Sequence, residues 1–261
     1  MLRVVTYNVH GLRDDRAALT RVVRDLDPDV LVVQEAPRRL RWRTRCAHLA
    51  HDLGLVYVTG GAPSLGNVIM TSLRVRTRDT WAIRYPLTPG RHLRGAAFAR
   101  CTADGVTFVV AGSHLSTDPA ERPAQAELLR KAVTGLDAPV ILAADLNEPP
   151  TGPAWRLLAD GLVDPGAASA AAPPLADLPF PDLPLADPGA GDPASGGPAL
   201  DGPPGGELDG ATFPAAGPRH RIDVILVDPR ITVAGYRVAA PLAAIRASDH
   251  LPVVADLTLP V

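Results

Sequence analysis

The sequence predicts an α+β protein, a four-layer sandwich with two central, mostly antiparallel β-sheets flanked by helices. Three observations predict it. Short apolar runs rich in β-branched residues recur along the chain. Apolar residues at helical spacing fall between several of them. Two stretches, around residues 4–33 and 106–144, each read strand, helix, strand, as two halves of a duplicated unit would.

The first strand is Val4-Val5-Thr6-Tyr7-Asn8-Val9. A helix follows over 16–26, with Leu19, Val22, Val23 and Leu26 on one face, and Asp27-Pro28-Asp29 ends it. Val30-Leu31-Val32-Val33 is apolar throughout and reads as a buried strand. A second helix covers 43–53, and strands follow near 55–59, 66–71, 75–83 and 95–101. A strand at 106–111 leads to a helix over 121–134, a buried strand at 140–144 and a short helix at 154–159. Final strands lie at 222–227, 233–239 and 253–259. Residues 165–218 differ from the rest: they hold 13 of the 28 prolines and no Lys or Arg, and their charged side chains are all acidic. Such a segment is expected to form neither packed core nor regular helix. It is a poorly ordered insert or a long loop pinned at apolar points such as Leu178, Phe180 and Leu183. The chain therefore reads as one domain, 1–261, with an insert at about 165–218.

Composition narrows the function. The formal net charge is −2, and no basic stripe is visible, which argues against a protein that holds long duplex DNA by counterion release. The basic residues are arginines except Lys131, a bias that reads as drift from a GC-rich genome. Cys46 and Cys101 are too few for a disulfide framework and are expected as semi-buried thiols. The N-terminal residues enter a strand at once, without signal-peptide character, and no apolar run is long enough to cross a bilayer. A soluble, cytoplasmic monomer is expected.

The chemistry sits at strand ends, where turn formers are the usual residues. Here the strands end in carboxylates, carboxamides and histidines: Asn8, Gln34-Glu35, His114, then Asp145 and Asn147. Asp223 opens a later strand, and Asp249-His250 precedes the last one. Taken singly, each has a plain alternative. Asn8 suits a turn, Glu35 a solvated loop, His114 a structural hydrogen bond, and Asp145 with Asn147 an Asx-turn. Strand alternation nevertheless puts Asp145 and Asn147 on one side, where they can hold a water or a phosphoryl oxygen. A glutamate at the end of an apolar strand is costly to desolvate unless paired or bound to a cation. His250 needs an orienting acid, and Asp223 is the candidate. His48 and His51 lie in a helix with no third ligand nearby, so they read as surface histidines.

Jointly these segments resemble one family. The ordered set is Thr-Tyr-Asn-Val (6–9), Gln-Glu (34–35), Gly-Asn-Val-Ile-Met (66–70), Ser-His-Leu (113–115), Ala-Asp-Leu-Asn (144–147), Arg-Ile-Asp-Val-Ile (221–225) and Ser-Asp-His-Leu-Pro-Val (248–253). It is similar to the endonuclease/exonuclease/phosphatase superfamily of deoxyribonuclease I-like, magnesium-dependent phosphoesterases, over nearly the whole chain except the proline-rich insert. The resemblance implies Glu35 as principal Mg²⁺ ligand, with Asn8 close to metal and phosphate and Asp249 at a second metal position. One glutamate suffices for Mg²⁺, which keeps waters and phosphate oxygens as its other ligands. Mn²⁺ is an implied substitute. Asp145 and Asn147 are implied to position the attacking water and the scissile phosphate. His250, oriented by Asp223, is implied as general base or phosphate-stabilising cation. His114 is the second imidazole, able to stabilise or protonate from the opposite side, and Asn67 and Arg94 match phosphate-contacting positions. Phe213 is read as a rim residue that contacts substrate or as part of a plain turn. His114 also separates the chain from abasic-site endonucleases, which carry a tyrosine there.

The resemblance thus implies hydrolysis of a phosphomonoester or phosphodiester by in-line water attack. The preferred substrate is a small phosphorylated molecule or a lipid headgroup, because an acidic insert would repel a polyanion. The alternative is a Mg²⁺-dependent endo- or exonuclease on DNA or RNA. A non-catalytic binding module of the same fold comes third.

Overall fold

The structure is a computed structural model that describes residues 1–169 and 210–260. Its elements in chain order are β1 (Leu2–Asn8), α1 (Arg16–Leu26), β2 (Val30–Gln34), α2 (Trp42–Asp52), β3 (Val56–Gly60), β4 (Val68–Thr71), β5 (Arg76–Arg84), β6 (Gly95–Ala103), β7 (Val106–His114), α3 (Arg122–Thr134), β8 (Val140–Asp145), α4 (Pro153–Ala159), α5 (Pro165–Ser169), β9 (Asp223–Val227), β10 (Thr232–Val238), α6 (Leu242–Ala247) and β11 (Val253–Thr258). The first sheet has the order β10-β11-β1-β2-β4-β3, and the second β5-β6-β7-β8-β9. Each is mixed. The two strand-helix-strand runs seen in the sequence give the parallel pairs, β1 with β2 and β7 with β8, and the other pairings are antiparallel.

Three apolar layers hold the sandwich together. Strand alternation sends Val4, Val30, Val32, Val110, Ile141, Ala143 and Ile225 into the layer between the sheets. It sends Val5, Tyr7, Leu31 and Val33 outward under α1, α2 and α6, where Leu19, Val22, Val23, Leu26 and Leu49 meet them. Val109, Leu142, Ala144 and Leu226 face the opposite way, under α3 and α4 with Leu129 and Trp155. Near Gly112 the sheets approach closely: a Cβ there would lie 2.6 Å from Val32 Cγ1.

Local signals explain the helix ends. The Asp15 side chain accepts from the Ala17 and Ala18 amides at 2.9 and 3.0 Å, and Asp27 closes α1 in the left-handed region. Three features differ from expectation. Both thiols are fully buried rather than half-buried, and burial pushes Cys46 up to about 11 and Cys101 to about 12. A short helix, α5, opens the segment expected to hold none, because Pro165 is pre-set for a first helical turn. Between the last two strands lies α6, an element the sequence pattern does not predict. Leu178, Phe180 and Leu183 lie outside the described residues. No helix among the described residues is long and apolar enough to cross a membrane.

Candidate active site

The rows of the inter-sheet layer continue to one edge of the sandwich and there turn polar. Along β1 the inward positions run Val4, Thr6, Asn8; along β2 they run Val30, Val32, Gln34. Along β7 they run Val110, Gly112, His114, and along β8 Ile141, Ala143, Asp145. β9 is antiparallel to β8, so its first residue, Asp223, reaches the same edge. The register makes this a line: His114 stands opposite Asp145, and Asp145 opposite Asp223, while Asn8 pairs with Gln34 in the other sheet.

Side-chain contacts then close the site across the two sheets. Asn8 Nδ2 donates to Asp145 Oδ2 at 2.9 Å. His114 Nε2 lies 3.2 Å and His250 Nε2 3.9 Å from the same oxygen. Asp145 Oδ1 accepts the Asn147 amide N–H at 2.9 Å, and Asn147 is held in the left-handed region at φ 50°. His250 Nδ1 is 2.9 Å from Asp223 Oδ2, which also accepts the Thr212 hydroxyl at 2.5 Å. The Ser248 hydroxyl donates to the Asn8 carbonyl at 2.7 Å and accepts the His250 amide at 3.3 Å. The Phe213 ring packs 4.9 Å from the His250 ring.

The two imidazoles are driven in opposite directions. Burial disfavours charge on His250, but Asp223 first, then Asp145 and Asp249, outweigh it and raise the ring to about 10. His250 is therefore a cation at neutral pH. Burial dominates at His114 and, with Arg94 and His250 adding repulsion against the pull of Asp145, lowers it to about 3. Arg94 Nη1 is 3.0 Å from His114 Nδ1. A guanidinium only donates, so Nδ1 accepts and the neutral ring carries its proton on Nε2. That N–H faces Asp145 Oδ2 at 3.2 Å, while the neighbouring Asn147 Nδ2, a donor, gives its hydrogen to Leu115 O at 3.1 Å.

One cluster of side chains and one unpartnered carboxylate offer themselves to a cation. Asp145, Asp223 and His250 each present a ligand atom within 4.8 Å of the others. Those Asp223 and His250 atoms already face each other, however, and Thr212 donates to the same carboxylate oxygen. Glu35 differs. It ends β2 half-buried at φ 56°, and its carboxylate has no hydrogen-bond or ion-pair partner among the described residues. Its charge, with that of Asp145, raises the Arg94 pKa against the larger lowering by burial, so it stands near the same centre. Asn8 Oδ1 accepts the His10 amide at 3.1 Å. Asp249 is half-buried at the rim, 3.8 Å from His10 Nε2. A free carboxylate, a carboxamide oxygen and a second rim carboxylate are hard oxygen donors that fit a magnesium-type ion.

Other expected residues fall as follows. Asn67 is buried and turned to the backbone, its Nδ2 donating to Ser64 O at 2.8 Å and Gly95 O at 2.9 Å, so it ties the start of β4 to that of β6. His48 and His51 are exposed on α2. Sequence reading missed Thr212 and Ser248, whose hydroxyls set Asp223 and His250. It also missed Arg122, which donates to the Asn147 carbonyl at 2.8 Å and to Glu148 Oε2 at 2.8 Å. Arg122 lies in a helix whose apolar face was read, and Thr212 in a Thr-Phe-Pro run that was noticed only for its phenylalanine.

Comparison with known proteins completes the picture. The sequence profile of the Endonuclease/Exonuclease/phosphatase family matches residues 5–250. No curated protein matches the chain. Among solved structures, a mannosyl-6-phosphatase of Bacteroides thetaiotaomicron superposes with a TM-score of 0.71 at 18% identity, covering 99% of this chain and 100% of that one. The human Nocturnin catalytic domain with bound sulfate anion gives 0.67 at 18% identity, covering 98% and 94%. TDP2 of D. rerio complexed with single strand DNA product gives 0.66 at 17%, covering 98% of each chain. At such identities the likeness is one of fold.

Proposed function

Because the chain belongs to the endonuclease/exonuclease/phosphatase family, we propose that it is a divalent-metal-dependent hydrolase that cleaves a phosphoester bond by in-line attack of water. One observation carries the reading: His250, held by Asp223, and His114 flank Asp145 at the edge where Glu35 stands without a protein partner among the described residues.

The two charge states divide the labour. A His250 that already holds its proton cannot take one from water, so it acts as a cation that donates Nε2–H to a phosphoryl oxygen. Asp145 is then the group that orients the water and accepts its proton. Its Oδ1 is fixed by the Asn147 amide and its Oδ2 by Asn8, so the carboxylate is aimed before substrate arrives. Asp223, braced by Thr212, keeps the His250 charge in place. Arg94 and the Nε2–H of His114 add donors beside the phosphate. Asn67 acts one step back, through the β6 start next to Arg94. Glu35, with Asn8 and Asp249 nearby, would hold Mg²⁺ or Mn²⁺, and the ion would neutralise charge developing on the phosphate.

The preferred substrate is a small phosphorylated molecule or lipid headgroup. Nuclease action on DNA or RNA is the second reading, and a neighbour of the same fold solved with a DNA product favours keeping it. A non-catalytic module is disfavoured because every expected site residue is present. We further read the chain as a single domain with its insert, acting as a cytoplasmic monomer. The test is a panel of sugar phosphates, phospholipid headgroup esters and supercoiled plasmid, each with Mg²⁺, Mn²⁺ or EDTA. Turnover should need metal and vanish in Glu35→Ala and His250→Ala. Rates indifferent to EDTA and to both substitutions would sink the proposal, and selective plasmid nicking would promote the nuclease.

A further inference from the structure

The net charge of −2 conceals an uneven distribution. Residues 36–51 carry Arg38, Arg39, Arg41, Arg43 and Arg45 and no acidic residue. The basic stripe that the chain was expected to lack is therefore here, directly after Glu35. Arg39, Arg41, Arg43 and Arg45 are exposed. None of the four has a carboxylate partner among the described residues, and Asp52, the next acid downstream, is paired with Arg16. Arg74, Arg100, Arg130, Arg230 and Arg246 each sit within 3.1 Å of an aspartate oxygen, whereas exposed arginines such as Arg21 and Arg24 are also without one; what sets residues 38–45 apart is five arginines in eight positions.

Apolar side chains project from the same rim. Leu40, between Arg39 and Arg41, is 85% exposed. The Arg38 guanidinium donates to Leu65 O and Leu93 O, which ties this loop to the one at residues 86–93. That second loop exposes Leu87 by 60% and Leu93 by 41%. A lone exposed leucine is ordinary. Three on two tied loops, beside the unpaired arginines of the first loop and with Arg91 of the second paired to Asp118, form an amphipathic rim. Its ends adjoin the site, since the first loop leaves Glu35 and the second runs into Arg94. Trp42 does not join it as an inserting ring; it is half-buried, against the Gly61 backbone, with Arg43 stacked 4.4 Å over its ring.

We propose that this rim docks the protein on the surface of an anionic lipid bilayer. The arginines meet the headgroup charge, and Leu40, Leu87 and Leu93 enter the headgroup–acyl boundary. A nucleic acid strand would use the arginines but leave the leucines in water, so the leucines decide between the two polyanions. Resting on the phosphoesterase reading, docking would bring the phosphorylated headgroup of a lipid to the mouth of the site.

The experiment is flotation of the whole protein with vesicles of phosphatidylcholine alone or mixed with phosphatidylglycerol, over a range of salt. Binding should require phosphatidylglycerol and weaken as salt rises. Arg39→Gln/Arg41→Gln/Arg43→Gln should lower the partition coefficient on the order of a hundredfold, at roughly fivefold per basic side chain. Leu40→Ser/Leu87→Ser should lower it about tenfold or more while keeping the salt dependence. Both variants should keep the wild-type melting temperature and its turnover of a soluble phosphoester. Equal partition onto neutral vesicles, no partition, or variants that bind as wild type would overturn the proposal. So would tighter binding to an oligonucleotide with the leucine variant unaffected. Vesicle binding without turnover of any ester would remove the catalytic reading and leave the docking; turnover without vesicle binding would do the reverse.

Discussion

Replacing Asp223 by Asn should bring the titration of His250 down from the alkaline range toward neutrality, and the consequences can be followed by titration. The carboxamide keeps the size and an acceptor for His250 Nδ1, but removes the charge 2.9 Å from the ring. In the wild type the surrounding carboxylates, Asp223 foremost, raise His250 to about 10 against an ordinary 6.5. That difference is worth roughly 5 kcal/mol in favour of the imidazolium. Burial opposes it, and Asp223 is the strongest of the three acids that support it. Without Asp223, burial faces only Asp145 and Asp249, and the pKa should fall by on the order of 2–3 units. The sign follows from linkage. A pKa raised by folding contributes stability that is full below 6.5 and is lost as pH rises through about 10. Asp223→Asn should therefore be destabilised most at pH 6, with the gap to wild type narrowing in alkali. Its phosphoesterase turnover near pH 8 should fall by about 10²–10⁴-fold. The assay is ¹H–¹⁵N NMR of the histidine rings in EDTA-treated protein, with His250 assigned through His250→Gln. A wild-type His250 that titrates near 6.5, or one unmoved by Asp223→Asn, would refute the reasoning.

Other expectations follow from the same geometry. His114, held down to about 3, refuses a proton that the unfolded chain accepts below 6.5. Stability should thus decline as pH falls from 6.5 toward 3, by about 1.4 kcal/mol per unit from this group, and His114→Gln should flatten that slope in urea titrations. Thr212→Val leaves Asp223 Oδ2 short of a buried donor and should cost about 1–3 kcal/mol in the urea midpoint. Gly112→Ala places a methyl 2.6 Å from Val32 Cγ1 and should cost about 1–3 kcal/mol by forcing the sheets apart. Retained stability there would mean that the inter-sheet spacing is softer than described.

Much of this architecture was legible because strands buried on both faces read as unbroken apolar runs. Val30–Val33 and Val140–Ala144 announce themselves, and the polar residues that terminate them stand out by contrast. Helix α1 was equally plain, since Leu19, Val22, Val23 and Leu26 make a clean stripe. Helix α6 was not, because six residues span less than two turns and carry no stripe. The charge states of His114 and His250 were also hidden. One closes a strand and the other precedes one, and only the third dimension shows that the first meets a guanidinium and the second a carboxylate. Thr212 is a neutral residue whose importance is conferred by what it touches. The arginines at 38–45 were in plain view, yet averaging charge over the chain cancelled them.

Strand β1 lies inside its sheet, between β2 and β11, and Leu2 pairs with Leu257. On a ribosome adding 5–20 residues each second, one flank of that strand waits roughly ten to fifty seconds for its mate. Until then its unpaired amides invite foreign strands, so the emerging polypeptide has reason to need a chaperone. Asn8 likewise waits for His250. A site assembled from residues so far apart in the chain stays incomplete until His250 has emerged, and any fragment cut short before β11 should be inert.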